Sequence, residues 1–414
     1  MTGQATRAGS LDSPTIAHLS SGEPAWLGEL RRDWWRRVEE QPWPLSAEEE
    51  WRRTSLDDLP RDGELLIDPP KADYQIDPAL AARGVVFTDL ATAVLEHPDL
   101  LRQHLGRLET LPAQMPFWAR SLAAWTGGTF LYVPAGVAVD GPLIARTSLP
   151  DGLYTYLPHT LVVLEQDASV TLLEELSSPN GAAIWFGGTA DLQVGYGARL
   201  RYANLQRLGD GAWRIGAQRV EVGQDADATT LNAEIGSKVS KMGLDLRMSG
   251  KGGTSKLLGL LAAGDDQHVD INSCQDLLAS HTTSDLLYLS ALYDRARAAF
   301  YGVTRVRPAA KQTSSYQECR NLLLSPKAGA EPIPVLEIET NDILRCGHGA
   351  TAGAIDPVQR FYAQSRGLSA DEAERMIVRG FFERVVAQIG SEPIKARILD
   401  ALVPRIGATD EVAA

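Results

Sequence analysis

ADLQVGYGARLRYANLQRL, residues 190–208, sets two β-rich runs on either side of a short turn, GYGARL (195–200). Similar turns stand at EQDASV (165–170), GQDADA (223–228) and GKGGTS (250–255), and each leads into another strand-like run. Their first residues fall about 27 to 30 positions apart, and a turn that returns at near-fixed spacing is the mark of a solenoid. In KMGLDLRMS (241–249), Met242, Leu244, Leu246 and Met248 alternate strictly, which gives one apolar strand face. The competing reading is a sandwich with regular hairpins. The β-rich texture starts at Thr129 and persists through TFLYV, HTLVVLEQ and SVTLLEEL, so residues 129–350 are expected to form a β-solenoid core.

The flanks have a different texture. Residues 23–128 are expected to be largely helical, with Trp26, Leu27, Leu30, Trp34 and Val38 recurring at helical spacing. Pro42 and Pro44 interrupt this run, and Ser46 with Glu49 offers a capping box to restart it. Further helical stretches are expected at about 88–108, broken at His97-Pro98-Asp99, and from Met115 to Trp125. Residues 351–414 revert to helix: Asp356-Pro357 reads as an N-cap and N1 proline, and Gly367 as a C-terminal stop. Ser369 and Glu372 then form a capping box that opens a helix through Ile389. Its expected apolar stripe is Ala373, Met376, Ile377, Gly380, Phe381, Val385 and Ile389. Residues 1–22, polar and Gly/Ser-rich, read as a disordered lead-in without the apolar region of a secretion signal, which points to a cytoplasmic protein.

Composition narrows the function classes. At 414 residues, with 44% hydrophobic and 22% charged residues, the chain is long enough for several structural parts around a sizeable core. A net charge of −13 argues against nucleic acid as a partner. The one dense basic cluster, Arg31-Arg32 with Arg36-Arg37, is interleaved with Trp34 and Trp35 and fits an amphipathic helix that packs its tryptophans. No apolar run approaches the roughly 20 residues that cross a membrane. The three cysteines, Cys274, Cys319 and Cys346, suggest no disulfide framework. They are also too few for a resident cubane cluster, which takes four thiolates. Metal or sulfide handled here must be held transiently, or with ligands from a second chain.

The segment able to carry chemistry is Ile343-Leu-Arg-Cys346-Gly-His348-Gly-Ala-Thr351. If it is extended, Leu344, Cys346 and His348 share one face. Thiolate and imidazole side by side can share a soft metal such as iron. Alternatively, the imidazole lowers the thiol pKa and favours sulfur transfer. A packed cysteine beside a hydrogen-bonded histidine fits the same spacing. His281 sits in a loop that can approach the same surface, whereas His159 and His268 fall at strand starts with no partner signal. Cys319 and Cys274 read as core. GKGGTSK (250–256) lacks the spacing of a phosphate loop, so no nucleotide is expected on this chain.

These residues carry a resemblance. Arg320-Asn-Leu-Leu-Leu-Ser325, Ile333-Pro-Val-Leu-Glu-Ile338 and Cys346-Gly-His-Gly-Ala-Thr351 are similar to the C-terminal signature of the SufB/SufD family of iron–sulfur cluster assembly proteins. The match continues through Asp356-Pro-Val-Gln359, Ser365-Arg-Gly-Leu368 and Gly380-Phe-Phe382, and Glu49-Glu-Trp-Arg-Arg-Thr54 also looks like a family element. The resemblance implies a right-handed parallel β-helix between two helical regions. It implies pairing with a SufB-type paralogue through the β-helix and docking of a SufC-type ATPase on the C-terminal helices. A transient iron–sulfur cluster would be shared with the partner, and this chain would be a non-catalytic scaffold. Gly349 is like the SufD type, where the SufB pattern has glutamate. By that resemblance His348 is the candidate cluster ligand, with Cys346 its neighbour. Asp276-Leu277 departs from the Asp-His of many relatives. The alternatives are a SufB-like scaffold acting as a homodimer, and a β-helical polysaccharide-active enzyme.

Overall fold

The structure, a computed structural model, describes residues 7–8, 10–41, 43–106 and 115–404. A two-residue strand β1 (Arg7–Ala8) precedes helices α1 (Ser13–Ser20) and α2 (Ala25–Glu40). Strand β2 (Leu65–Leu66), helix α3 (Pro78–Ala82) and strand β3 (Val86–Asp89) follow. Helices α4 (Leu90–Glu96), α5 (Pro98–His104) and α6 (Met115–Ala124) complete the N-terminal region. The solenoid opens with β4 (Thr129–Val133), β5 (Ala138–Ser148), β6 (Tyr154–Tyr156), β7 (His159–Leu164) and β8 (Ser169–Ser177). It continues through β9 (Ile184–Phe186), β10 (Thr189–Val194), β11 (Arg199–Arg207), β12 (Trp213–Val222), β13 (Asp227–Glu234) and β14 (Val239–Met248). Its last rungs are built from β15 (Thr254–Ala263), β16 (His268–Leu277), β17 (Thr283–Leu292), β18 (Arg297–Val306), β19 (Thr313–Leu323), β20 (Gly329–Ile338) and β21 (Ile343–Gly353). Helices α7 (Pro357–Ser365), α8 (Ala370–Val386) and α9 (Glu392–Leu402) close the described chain.

Two sheets stack in register. Sheet B runs β5-β8-β11-β13-β15-β17-β19-β21, eight parallel strands. Sheet A carries the parallel series β4-β7-β10-β12-β14-β16-β18-β20. Each recurrent turn in the sequence is the same corner of a successive rung. Asp167, Gly197, Asp225 and Gly252 there hold φ between 54° and 75°, a region open to glycine and tolerated by aspartate. Their amides climb the corner: Asp167 N–H donates to the Tyr196 carbonyl at 2.8 Å, Gly197 to Gln224 at 2.9 Å, and Asp225 to Lys251 at 3.0 Å. The glycines have a second reason, because a Cβ on Gly197 or Gly252 would collide with the carboxylate of the aspartate one rung before. Parallel pairing between successive rungs excludes the hairpin sandwich and gives a parallel β-solenoid flanked by helices.

Lumenal positions of both sheets, among them Val194, Leu200, Leu246, Ile271, Leu286 and Val306, make one continuous apolar cluster. The N-terminal helices cover early rungs of sheet A through Phe117, Trp118, Trp185 and Trp213. The C-terminal helices cover the outside of sheet B, where Phe382, Val385 and Ile389 meet Leu258, Leu260 and Leu289. The basic cluster resolves as expected of a packed helix: Arg31 is buried, donates to Glu23 at 2.7 Å and lies 4.4 Å over Trp125, while Arg37 lies over Trp34. No helix among the described residues is long and apolar enough to cross a membrane.

Several expectations are corrected. Ser13–Ser20, within the lead-in expected to be disordered, form α1, capped by Asp12; residues 1–6 and 9 lie outside the described residues. Ser46 and Glu49 start no helix; that stretch is a series of turns in which Glu49 is drawn to Arg52 and Arg53. The region 23–128 also holds strands, β3 pairing antiparallel with β4. Sheet B runs on to Gly353, three residues beyond the expected boundary at 350. The caps of the C-terminal helices stand where expected, Asp356 on Val358 and the full box of Ser369 with Glu372. The stripe of α8 is rotated: Ala373, Val378, Phe382, Val385 and Val386 are buried and Met376 is exposed. With apolar residues on most of its circumference, sequence alone could not choose the face; the outside of sheet B did.

Candidate functional site

Cys346 and His348 lie on β21, the last strand of sheet B. Among the described residues β21 pairs only with β19, and β20 only with β18, so the solenoid ends here without a further rung. The register sets Cys346 over Ser315 and His348 over Gln317. Ser315 and Gln317 are buried lumenal residues, so Cys346 and His348 project on the lumenal side of the final rung. Their shared face is as alternation requires. Leu344 is not on it: a bulge between the pairs Thr313–Ile343 and Ser314–Arg345 makes Leu344 the extra residue, 69% exposed, and Ile343 packs on the core instead.

The two side chains differ in environment. Cys346 is half-buried against the core end, and that burial pushes its thiol up from the ordinary value. No lowering by the neighbouring imidazole offsets that rise. His348 is exposed. Beneath it lies a polar layer that the sequence reading missed: Gln275 donates to Ser284 Oγ at 2.7 Å, and the Gln317 amide and Thr304 hydroxyl lie 2.7 Å apart. A stack of lumenal serines at equivalent positions of successive rungs, Ser255, Ser284 and Ser315, is its available signal. On the outer side, the Arg345 guanidinium lies 4.3 Å over the Tyr316 ring. Gly347 and Gly349 pass beside the same ring, and a Cβ on Gly349 would come 3.0 Å from the Tyr316 hydroxyl.

The other candidates are elsewhere. His281 is a corner residue, φ 62°, whose N–H donates to the Lys311 carbonyl at 2.8 Å, two rungs behind β21. Leu277 is fully buried in the lumen, while Asp276 turns outward to Arg307. Cys319 is core, as expected, with burial holding its thiol up to about 12. Cys274 corrects its expectation: it lies outside the core, paired in the ladder with Asp245 and Val303, and half-buried. Its thiol is pushed up to about 12, by burial first and then by Asp245 and Asp276. His159 is buried with Nδ1 2.8 Å from Thr189 Oγ1, and His268 faces Thr54. Among the described residues no three or more His, Cys, Asp or Glu side chains converge as a metal site. The chain thus offers one soft donor and one imidazole at an open end. Any cluster held there as cargo needs its remaining ligands from another molecule.

Residues 149–381 match the family model described as SUF system FeS cluster assembly, SufBD core domain. The chain is 29% identical to the iron–sulfur cluster assembly protein SufB of Bacillus subtilis over 314 residues, 76% of this chain and 67% of that one. It is 27% identical to SufD of the same organism over 420 aligned positions, 93% of this chain and 95% of the relative. A SufBD family protein of Staphylococcus saprophyticus is 26% identical over 77% of this chain. The family model spans most of the solenoid and the start of the C-terminal helices, including the strand that carries Cys346 and His348. The chain belongs to the SufBD family of iron–sulfur cluster assembly proteins.

Proposed function

We propose that this chain is the SufD-type scaffold subunit of a cytoplasmic SUF complex. It would hold a nascent iron–sulfur cluster between His348, Cys346 and ligands of a SufB-type partner, and perform no catalysis itself. The observation that carries this is the pair of donors on the lumenal face of the last strand, which pairs on one side only, with no cluster of three or more His, Cys, Asp or Glu among the described residues. A site of that kind is half of a shared one. Of the two, His348 is the more accessible ligand, since a half-buried neutral thiol must lose a proton before it binds metal.

The SufD assignment rests on near full-length alignment with a SufD, against two thirds of a SufB, and on Gly349, where a Cβ would already come 3.0 Å from the Tyr316 hydroxyl. The slightly higher identity to SufB favours the second reading, a SufB-like homodimer. ATP hydrolysis is assigned to a SufC-type partner. Val358, Phe361 and Tyr362 on α7 and Met376 on α8 are each more than half exposed and form an apolar surface suited to that subunit.

The test is anaerobic co-purification with SufB-type and SufC-type partners, wild type against His348→Ala. The expected result is an intact complex that has lost most of its iron and acid-labile sulfide. Unchanged iron and sulfide would remove His348 from the site.

A further inference from the structure

The lumen is not apolar throughout. At the end opposite Cys346 and His348 it holds a cavity walled by the rungs β7–β8, β10–β11 and β12–β13. Its mouth lies at residues 70–74, where exposed Lys71 joins the wall beside Asp89 and Gly128. The middle rung leaves the room, because it contributes Gly188, Ala190 and Asn204 to the wall and no large aliphatic side chain. About 70 Å³ is open to atoms the size of water. Each takes about 10–15 Å³, so about five to seven non-hydrogen atoms fit. A nucleotide-sized cofactor is excluded.

The two ends of this cavity are chemically opposite. The rung β12–β13 supplies donors. Arg214, Gln218 and Asn232 are 4%, 2% and 2% exposed. Among the described residues Arg214 Nε, Gln218 Nε2 and Asn232 Nδ2 have no hydrogen-bond partner. Protein interiors leave few such atoms bare, and three in the wall of one cavity mark a place for acceptor oxygens. The other two guanidinium nitrogens of Arg214 donate to Glu234 Oε1 at 2.7 Å and Asn204 Oδ1 at 2.9 Å, which fixes the group. The rung β7–β8 supplies a carboxylate. Glu174 Oε1 accepts from Thr129 at 2.6 Å and Thr160 at 2.9 Å, and Oε2 accepts from the Tyr202 hydroxyl at 2.5 Å. All three donors are neutral, and Oε2 keeps a lone pair free.

Charge decides the class of ligand. Arg214 is already balanced by Glu234, and Lys71 at the mouth acts on Asp89, so an anion would meet Glu174 with no net positive charge to offset it. A simple cation would leave the three donors without acceptors. A molecule with a carboxylate at one end and an ammonium at the other satisfies both ends. Glu174 and Asn232 stand two rungs apart, about 9–10 Å, which is the span of an α-amino acid hydrogen-bonded at each end. We infer that this cavity binds a small α-amino acid, of glycine to serine size, with its carboxylate on Arg214, Gln218 and Asn232 and its ammonium on Glu174. The site is separate from the donors on β21 and does not depend on the scaffold reading.

The experiment is a thermal melt of the full chain with glycine, alanine and serine at equal millimolar concentrations. Acetate is the anionic control, acetamide the uncharged one, and leucine a zwitterion too large for the cavity. The three small amino acids should raise the midpoint by about 1 °C or more, and the controls should not. Gln218→Met removes a donor with little change of volume and no loss of a bond within the chain. It should abolish the rise without lowering the midpoint of the free protein, whereas a glutamine that only supports the fold would lower it. Equilibrium dialysis of the wild-type chain with radiolabelled alanine should show one bound per chain, and it decides even if the variant fails to fold. An equal response to acetate, acetamide or leucine would overturn the inference, as would an undiminished rise in Gln218→Met. No response to any of them, with no alanine retained in dialysis, would mean that the cavity holds water only.

Discussion

Lys241 is fully buried on the outer side of sheet A, with Nζ 2.6 Å from Asp270 Oδ2 and 4.6 Å from the Trp51 ring. Asp270 also accepts from Thr54 Oγ1 at 2.6 Å, and the Glu50 carbonyl accepts from Lys241 and from Asn272. These bonds fasten the segment Glu49–Thr54 across β14 and β16, which gives that family-like stretch a structural role. Removing one partner of a buried pair strands the other charge. Lys241→Met is therefore expected to cost about 3–5 kcal/mol, and Lys241→Met with Asp270→Leu to recover most of it. Urea denaturation checks both; equal losses would mean that the pair is not the fastener. His159 supplies a pH dependence. Burial depresses its folded pKa from 6.5 to about 3, so its contribution is full above pH 6.5 and declines as pH falls toward 3. Between pH 6.5 and 5 the loss is about 2 kcal/mol. Asp191, raised by burial to about 6, works in the opposite sense, gaining stability as pH falls through 6. Comparison with His159→Gln isolates the histidine: the variant should lose about 2 kcal/mol less over that interval, and identical pH slopes would refute the assignment.

Helix α8 shows what the elements owe to sequence and what to tertiary context. Its start was legible because Ser369 and Glu372 bond reciprocally within one turn; the expected end at Ile389 is that of a 3-10 turn, Ala387–Ile389, which continues the helix and stops where Gly390 holds φ 71°. Its buried face was not legible. Met376 and Val378 are both apolar, and only the Leu258–Leu260–Leu289 ridge on sheet B decides that Val378 goes in. The restart at Ser46 failed for a related reason: a local capping pattern cannot hold a helix when Glu49 has arginine partners and Trp51 is pulled onto Phe117 at 5.1 Å. The packing of α8 predicts that Phe382→Ala, fully buried, costs about 3–5 kcal/mol and loosens the C-terminal helices. Limited proteolysis after residue 353 and urea denaturation report both effects. A loss under about 1 kcal/mol would shift the anchoring to the ion pairs of Glu175 with Arg397 and Glu318 with Arg384.

At the scale of the whole molecule, the repeat of about 27 to 30 residues was enough for the solenoid, because each rung imposes the same corner on the chain. The site was only half legible. Alternation placed Cys346 beside His348, but nothing local to that strand says that it is the last one, and the bulge at Leu344 depends on pairing with β19. Being last has an energetic consequence. A solenoid rung is stabilised mainly by its neighbours, and the first rungs are covered by β3 and the N-terminal helices while the last are not. Stability should therefore fall along the axis. In the isolated chain, amide exchange is expected to be slowest in β14 to β17, whose strands are paired on both sides, and fastest within the solenoid at β20 and β21. Exchange followed by mass spectrometry of peptides covering 254–277 and 343–353 tests this. Equal protection in the two would mean that the open end is capped by contacts within the chain itself.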